Sequence, residues 1–109
     1  MDLNPSSVGH TLVIPREHWE NIYDVPEETL ADLITVVKKV CVATKKAFGA
    51  EGVRVIQLNG RAAGQVVMHL HFHVIPASFR DGVRMGHHGR AALERNELDA
   101  TAQKIRENL

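Results

Sequence analysis

The spacing of apolar residues along the chain predicts three β-strands and one long helix. Short apolar runs of strand-like composition cover 10–15, 53–58 and 66–76. Over 26–48 the apolar residues instead recur every three or four positions, as one face of an amphipathic helix requires. The members of this stripe are Leu30, Leu33, Ile34, Val37, Cys41, Thr44 and Phe48. We therefore expect the stripe to pack against a small sheet.

Turn and cap residues predict where these elements begin and end. Asp24 or a neighbour is expected to cap the start of the helix, and Gly49 is expected to end it. The Gly- and Ala-rich turn at 59–64 predicts an antiparallel hairpin of the second and third strands. A shorter helix is expected over 96–108. The predicted class is α+β: one domain over 1–109, with a small antiparallel meander sheet, one long helix packed on it and a short C-terminal helix.

Three histidines alternate with apolar residues in the third predicted strand. Because successive side chains of a strand point to opposite faces, His69, His71 and His73 are expected on one face. The intervening apolar side chains, including Leu70 and Phe72, should meet the helix. Buried imidazoles need hydrogen-bond partners, so packing alone does not account for three of them in a row.

The residue pattern leaves three interpretations of these histidines open. They could lie on a solvated face without further function. They could bind a metal ion, because imidazole is a common zinc ligand and histidines two apart on a strand can share one ion. They could also perform nucleophilic catalysis, since imidazole has a reference pKa of about 6.5 and is largely neutral near pH 7.

Charge balance and cysteine content exclude several kinds of partner and site for this protein. Thirteen Lys and Arg balance thirteen Asp and Glu, so neither nucleic acid nor a membrane surface is an expected partner. Cys41 is the only cysteine, which excludes a disulfide within the chain and a cysteine-rich zinc site. No apolar run is long enough to span a bilayer, and no signal peptide is evident, so a cytoplasmic protein is expected.

Three segments resemble the motifs of the histidine-triad (HIT) family, in the family's order. They are GQVVMHLHFHVIP at 64–76, DLNP at 2–5 and GHTLVIPREH at 9–18. The residues of these motifs are most similar to those of the bacterial nucleoside phosphoramidase-like members. The resemblance begins at Asp2, so we expect an N-terminally shortened HIT domain with a HIT-like fold.

The resemblance implies a nucleotide-binding hydrolase that works through a nucleotidyl-histidine intermediate. Its substrates would be nucleoside phosphoramidates, acyl-nucleotides or dinucleoside polyphosphates. By position in the motif, His71 would be the nucleophile, and His69 would orient it through the backbone. His73 would contact the phosphate and assist the leaving group, and a histidine here rather than a glutamine indicates the hydrolase branches. His10 would be the family's fourth histidine, near His69.

The resemblance also implies a set of substrate-binding residues. Asp2 would hold the ribose hydroxyls, and Leu3 would line the pocket. Gln65 would lie beside the phosphate and position water, and Asn59 would reach the ribose. Val66 would offer its backbone N–H to the phosphate. The ligand would be a purine nucleotide similar to AMP or GMP.

No cofactor and no structural zinc are expected. The family's zinc-binding members use an N-terminal cysteine pair, which this sequence lacks, together with the equivalents of His10 and His69. His87 and His88 lie in a glycine-rich segment and are interpreted as solvated. His18 is interpreted as a structural residue at a strand end or helix start. Family analogy predicts a homodimer formed through the long helix and a strand edge. A binding module with little catalysis and a metal-binding protein remain the alternative functions.

Overall fold

A three-stranded antiparallel sheet and one long helix form the described part of the chain. The computed structural model describes residues 8–79, 103, 105–107 and 109. Its elements are β1 (Thr11–Val13), α1 (Glu27–Phe48), β2 (Gly52–Ile56), a 3₁₀ turn (Arg61–Ala63) and β3 (Phe72–Ala77). This arrangement confirms the predicted α+β class with a long helix on a small sheet.

The central strand of the sheet is β3. It pairs antiparallel with β1 on one side and with β2 on the other, so the strand order is β1-β3-β2. Thr11 lies opposite Val74, and Arg54 lies opposite Ile75. Residues 72–76 are all buried, as expected for a strand with neighbours on both sides. The predicted antiparallel pairing of the second and third strands is thus confirmed. The predicted meander order is wrong for the described strands, because β1 pairs with β3 and not with β2.

The helix α1 buries a stripe that differs in part from the predicted one. Its buried residues are Leu33, Val37, Val40, Ala43, Thr44 and Ala47. Ile34, which was expected in the core, is 49% exposed. It lies about 100° from Leu33 around the helix axis, at the edge of the stripe, whereas Val40 follows Val37 on the covered face.

The two ends of α1 are formed differently from one another. Pro26 is the N-cap residue, with no side-chain cap hydrogen bond, so the prediction that the side chain of Asp24 or a neighbour caps the helix is wrong. The Asp24 carboxylate instead accepts the backbone N–H groups of Glu20 and Asn21, both at 3.2 Å. At the other end Gly49 adopts the left-handed conformation with φ 58°, as predicted.

One apolar core lies between α1 and the sheet. It joins helix residues such as Leu33 and Val37 to Phe72 and Val74 of β3, with Leu70 fully buried beside them. Cys41 packs half-buried against this core, and burial raises the pKa of its thiol. No helix in the described residues is both long and apolar enough to cross a membrane.

Part of the predicted C-terminal helix lies within the described residues. Ile105 is buried and packs with Ala43 and Ala47 of α1. The backbone N–H of Glu107 donates to the Gln103 carbonyl at 3.0 Å, a helical i to i−4 bond. The remainder of 96–108 lies outside the described residues.

Candidate active site

The three histidines of the motif do not share one strand face, because β3 begins only at Phe72. His73 lies in the strand, while His69 and His71 lie in the segment that leads into it. In the described sheet β1 and β2 pair with residues 72–77. Upstream, the Leu70 backbone N–H donates to the Trp19 carbonyl at 2.7 Å instead of joining the sheet. The prediction of a strand starting at Val66 is therefore wrong at its N-terminal half.

The His71 ring is held by the backbone of the same segment. Its Nδ1 lies 2.6 Å from the carbonyl oxygen of His69. A carbonyl oxygen only accepts hydrogen bonds, so Nδ1 must carry the proton and donate it. The lone pair of the neutral ring is then on Nε2, which has no hydrogen-bond partner in the described residues. The His71 side chain is half-buried, so the ring is partly accessible to solvent.

A buried histidine pair lies next to His71. His10 Nε2 and His73 Nδ1 are 2.8 Å apart, and the two side chains are 0% and 5% exposed. The His71 ring meets the His73 ring edge-on, with centroids 4.9 Å apart. The three imidazoles therefore form a continuous group. Such a group combines a nitrogen lone pair with a neighbouring imidazole that can exchange protons.

His18 is a member of the site that sequence reasoning missed. Its Nδ1 lies 2.8 Å from Nδ1 of His69, and the two rings stack with centroids 5.0 Å apart and 25° between their planes. The resemblance predicts His10 near His69, whereas the structure pairs His10 with His73 and His69 with His18. No spacing rule signals His18, because this contact joins positions 51 residues apart.

Gln65 is buried and has its whole side-chain amide engaged inside the protein. Nε2 donates to the carbonyl oxygens of Glu20 at 2.6 Å and of Val67 at 3.1 Å. Oε1 accepts the backbone N–H of Gly60 at 2.7 Å and the Asn21 side chain at 3.4 Å. The resemblance implies a place beside the phosphate for this residue, whereas in this structure all four contacts of the amide are with groups inside the protein.

Asn59 is likewise tied to its neighbours. Its side chain exchanges two hydrogen bonds of 2.7 Å with the amide of Gln57, and its Oδ1 accepts the backbone N–H of Ile22 at 2.8 Å. The side chain of Val66, by contrast, is 86% exposed. Asp2 and Leu3, the expected ribose and pocket residues, lie outside the described residues, as do His87 and His88.

Two backbone hydrogen bonds to the Asp24 carboxylate hold the segment 20–24 in a turn. The backbone N–H of Asn21 lowers the pKa of Asp24 most, and the N–H of Glu20 adds to the effect. The carboxylate is therefore ionised at neutral pH and fixes the turn that carries Glu20 and Asn21. Within 8–79 and the described C-terminal positions, no group of three or more His, Cys, Asp or Glu side chains could hold a metal ion.

Known proteins are similar to this chain in both sequence and fold. The HIT domain family matches residues 1–80. An adenosine 5′-monophosphoramidase of Schizosaccharomyces pombe is 47% identical over 76 residues, covering 70% of this chain and 54% of that protein. An adenylylsulfatase of Arabidopsis thaliana is 38% identical over 81 residues, covering 74% of this chain and 41% of that protein.

A solved structure extends the likeness to the fold. A hypothetical histidine triad nucleotide-binding protein of Sulfolobus tokodaii has a TM-score of 0.88 and 41% sequence identity, over 99% of this chain and 74% of that chain. The chain spans 54% to 63% of the length of three curated relatives that it matches. With the family match covering residues 1–80 and the fold in agreement, this chain belongs to the HIT domain family, the histidine-triad proteins.

Proposed function

We propose that this protein hydrolyses nucleoside phosphoramidates, acyl-nucleotides or dinucleoside polyphosphates through a nucleotidyl group carried on His71. The observation that carries the proposal is the hydrogen bond from His71 Nδ1 to the His69 carbonyl. It fixes one tautomer and leaves Nε2 as the nucleophilic atom. The names of the two relatives, an adenosine 5′-monophosphoramidase and an adenylylsulfatase, support a substrate with an AMP-like portion.

The reaction we propose has two displacement steps at one phosphorus atom. First, Nε2 of His71 attacks the α-phosphorus, the bond from phosphorus to the leaving group breaks, and the leaving group departs with the electron pair. His73 supplies the proton that an amine leaving group requires. Second, water attacks the same phosphorus and the P–N bond to His71 breaks. His73 takes the proton from water, and the products are a nucleoside monophosphate and neutral His71.

The neighbouring residues have distinct roles in this scheme. The His69 carbonyl holds the tautomer of His71, and His10 holds the ring of His73 through their 2.8 Å contact. The purine nucleotide would lie along the segment that includes the backbone N–H of Val66. The ribose would be held by Asp2, with Leu3 against the nucleoside, as the family resemblance implies.

The first test is turnover of a fluorogenic adenosine phosphoramidate by the wild-type protein and by His71→Ala. We expect His71→Ala to lose about a thousandfold or more in kcat, since removal of a nucleophile abolishes the covalent route. His88→Ala, which changes a histidine outside the motif, is the matched control and should retain activity. Wild-type protein quenched in alkali should carry one nucleotidyl group by mass spectrometry. Equal turnover by wild type and His71→Ala would refute the proposal.

The second candidate is a nucleotide-binding module with little catalysis. It is supported by the name of the Sulfolobus tokodaii relative, a hypothetical histidine triad nucleotide-binding protein. Calorimetric titration with AMP and GMP, run beside the turnover assay, separates the two functions. Binding without turnover supports the module, and turnover supports the hydrolase. We also propose that the protein works as a homodimer, as the family resemblance implies.

A further inference from the structure

Five successive residues, 18–22, lie along the segment 59–70 that leads to the histidines. Two contacts reach its C-terminal part: the His18 ring stacks on His69, and the Trp19 carbonyl accepts the Leu70 N–H at 2.7 Å. The remaining three residues reach its N-terminal part through the side chains of Gln65 and Asn59. We call residues 18–22 the brace.

Gln65 is the residue that joins the brace to both ends of the 60–67 turn. Its amide bonds Glu20 and Asn21 in the brace, Gly60 at the start of the turn and Val67 at its end. The backbone N–H of Gln65 also donates to the Gly60 carbonyl at 3.0 Å. Removal of this one side chain would therefore break the bonds of the turn to Glu20 and Asn21 and the link from Gly60 to Val67, and would leave the backbone bond between Gln65 and Gly60.

The hydrogen-bonding capacity of the Gln65 amide is fully used by these contacts. A carboxamide has two N–H donors and two acceptor lone pairs, and four partners occupy them here. The residue is only 3% exposed. A bond to a phosphate or to water would require the loss of an internal bond, which leaves a buried carbonyl or N–H without a partner.

We infer that Gln65 is a positioning residue, which fastens the turn before His69 and His71 to the brace instead of contacting the substrate. This inference rests on the proposed function, because the group being positioned is the proposed nucleophile. The His69 carbonyl that fixes the His71 tautomer lies four residues beyond Gln65, and Leu70 is bonded to the same brace. Release of the turn thus moves the carbonyl that orients the nucleophile.

The test compares Gln65→Leu with Gln103→Leu, which makes the same chemical change at an exposed position. In the nucleotide-free protein, hydrogen exchange should become at least about tenfold faster at the Gly60 and Leu70 amides of Gln65→Leu, while the Val74 amide in β3 keeps its protection. The kcat for the phosphoramidate should fall by about tenfold to a hundredfold with KM changed less than about twofold, because misplacement of a reacting group acts on the chemical step. Gln103→Leu should change none of these quantities.

The outcomes separate this inference from the proposed function. Unchanged exchange in the nucleotide-free protein together with a raised KM would show a substrate contact and overturn the inference. Faster exchange with unchanged kcat would also overturn it, since the turn would then not position the nucleophile. A wild-type protein without turnover refutes the proposed hydrolase, and the exchange data then still decide whether Gln65 holds the turn. Gln65→Glu keeps both acceptor contacts but loses the two donors, and it should reproduce the kcat loss at pH 8.

Discussion

Thr44 carries a buried polar group with no hydrogen-bond partner in the described residues. It is 0% exposed, and its hydroxyl makes no bond there. Burial of an unsatisfied hydroxyl costs about 1–3 kcal/mol, and valine has nearly the same shape and helix propensity. We expect Thr44→Val to raise the free energy of unfolding by about 1 kcal/mol in urea denaturation.

Thr35 provides the matched control on the same helix. It is exposed, and its hydroxyl donates to the Ala31 carbonyl at 3.0 Å. Thr35→Val should change stability by less than about 0.5 kcal/mol, as exposed substitutions usually do. A loss of stability in Thr44→Val would mean that the hydroxyl is hydrogen-bonded in solution.

The sequence alone singles out the three histidines of the motif, but it does not show which imidazole rings pair with one another. His69, His71 and His73 stand out because three imidazoles alternate with apolar residues. Which ring meets which depends on how distant segments pack, and the contacts of His10 with His73 and His18 with His69 span 63 and 51 residues. The inward direction of the Gln65 amide likewise depends on the backbone of a distant loop, for which the sequence has no signal.

At the scale of elements, periodicity predicted the helix well and the third strand only in part. The helix follows from its own i to i−4 bonds and one apolar stripe, both of which are local. A strand also needs a partner, and alternation does not reveal where that partner ends. β2 stops at Ile56 and β1 spans only three residues, so residues 66–71 have no sheet partner in the described residues despite their alternating pattern.

The C-terminal end of α1 gives a direct test of backbone conformation. Gly49 and Gly52 both have open space where a Cβ would lie, but only Gly49 has a positive φ, of 58°. An alanine in the left-handed region costs about 1–2 kcal/mol. We expect Gly49→Ala to be less stable than Gly52→Ala by about 1 kcal/mol or more in thermal or urea unfolding. Equal stabilities would show that the end of the helix adopts another conformation in solution.

At the scale of the whole molecule, the sequence predicted the α+β class, while the brace became evident only from the fold. Residues 18–22 have no regular pattern, and their carbonyl and N–H groups contribute as much as their side chains. Backbone groups are the same in every residue, so their role is invisible in sequence. The brace is part of the β1–α1 connection and contacts the segment before β3, which makes the site depend on two separate parts of the chain.

The proposed homodimer is the prediction that concerns the whole molecule. In the described sheet β2 is an edge strand of five residues, against three for β1, so it offers the longer row of backbone groups for pairing. Val55 on this strand is 45% exposed, which adds an apolar side chain to that edge.

We expect light scattering to give twice the 12.1 kDa monomer mass. Val55→Lys should raise the dimer dissociation constant by about tenfold or more, since two like charges would meet across a twofold interface. Ile14→Lys, at the end of the opposite edge strand and 56% exposed, is the control and should leave the dimer intact. A monomer at all concentrations would refute the dimer, whereas dissociation by Ile14→Lys alone would place the interface on the β1 edge.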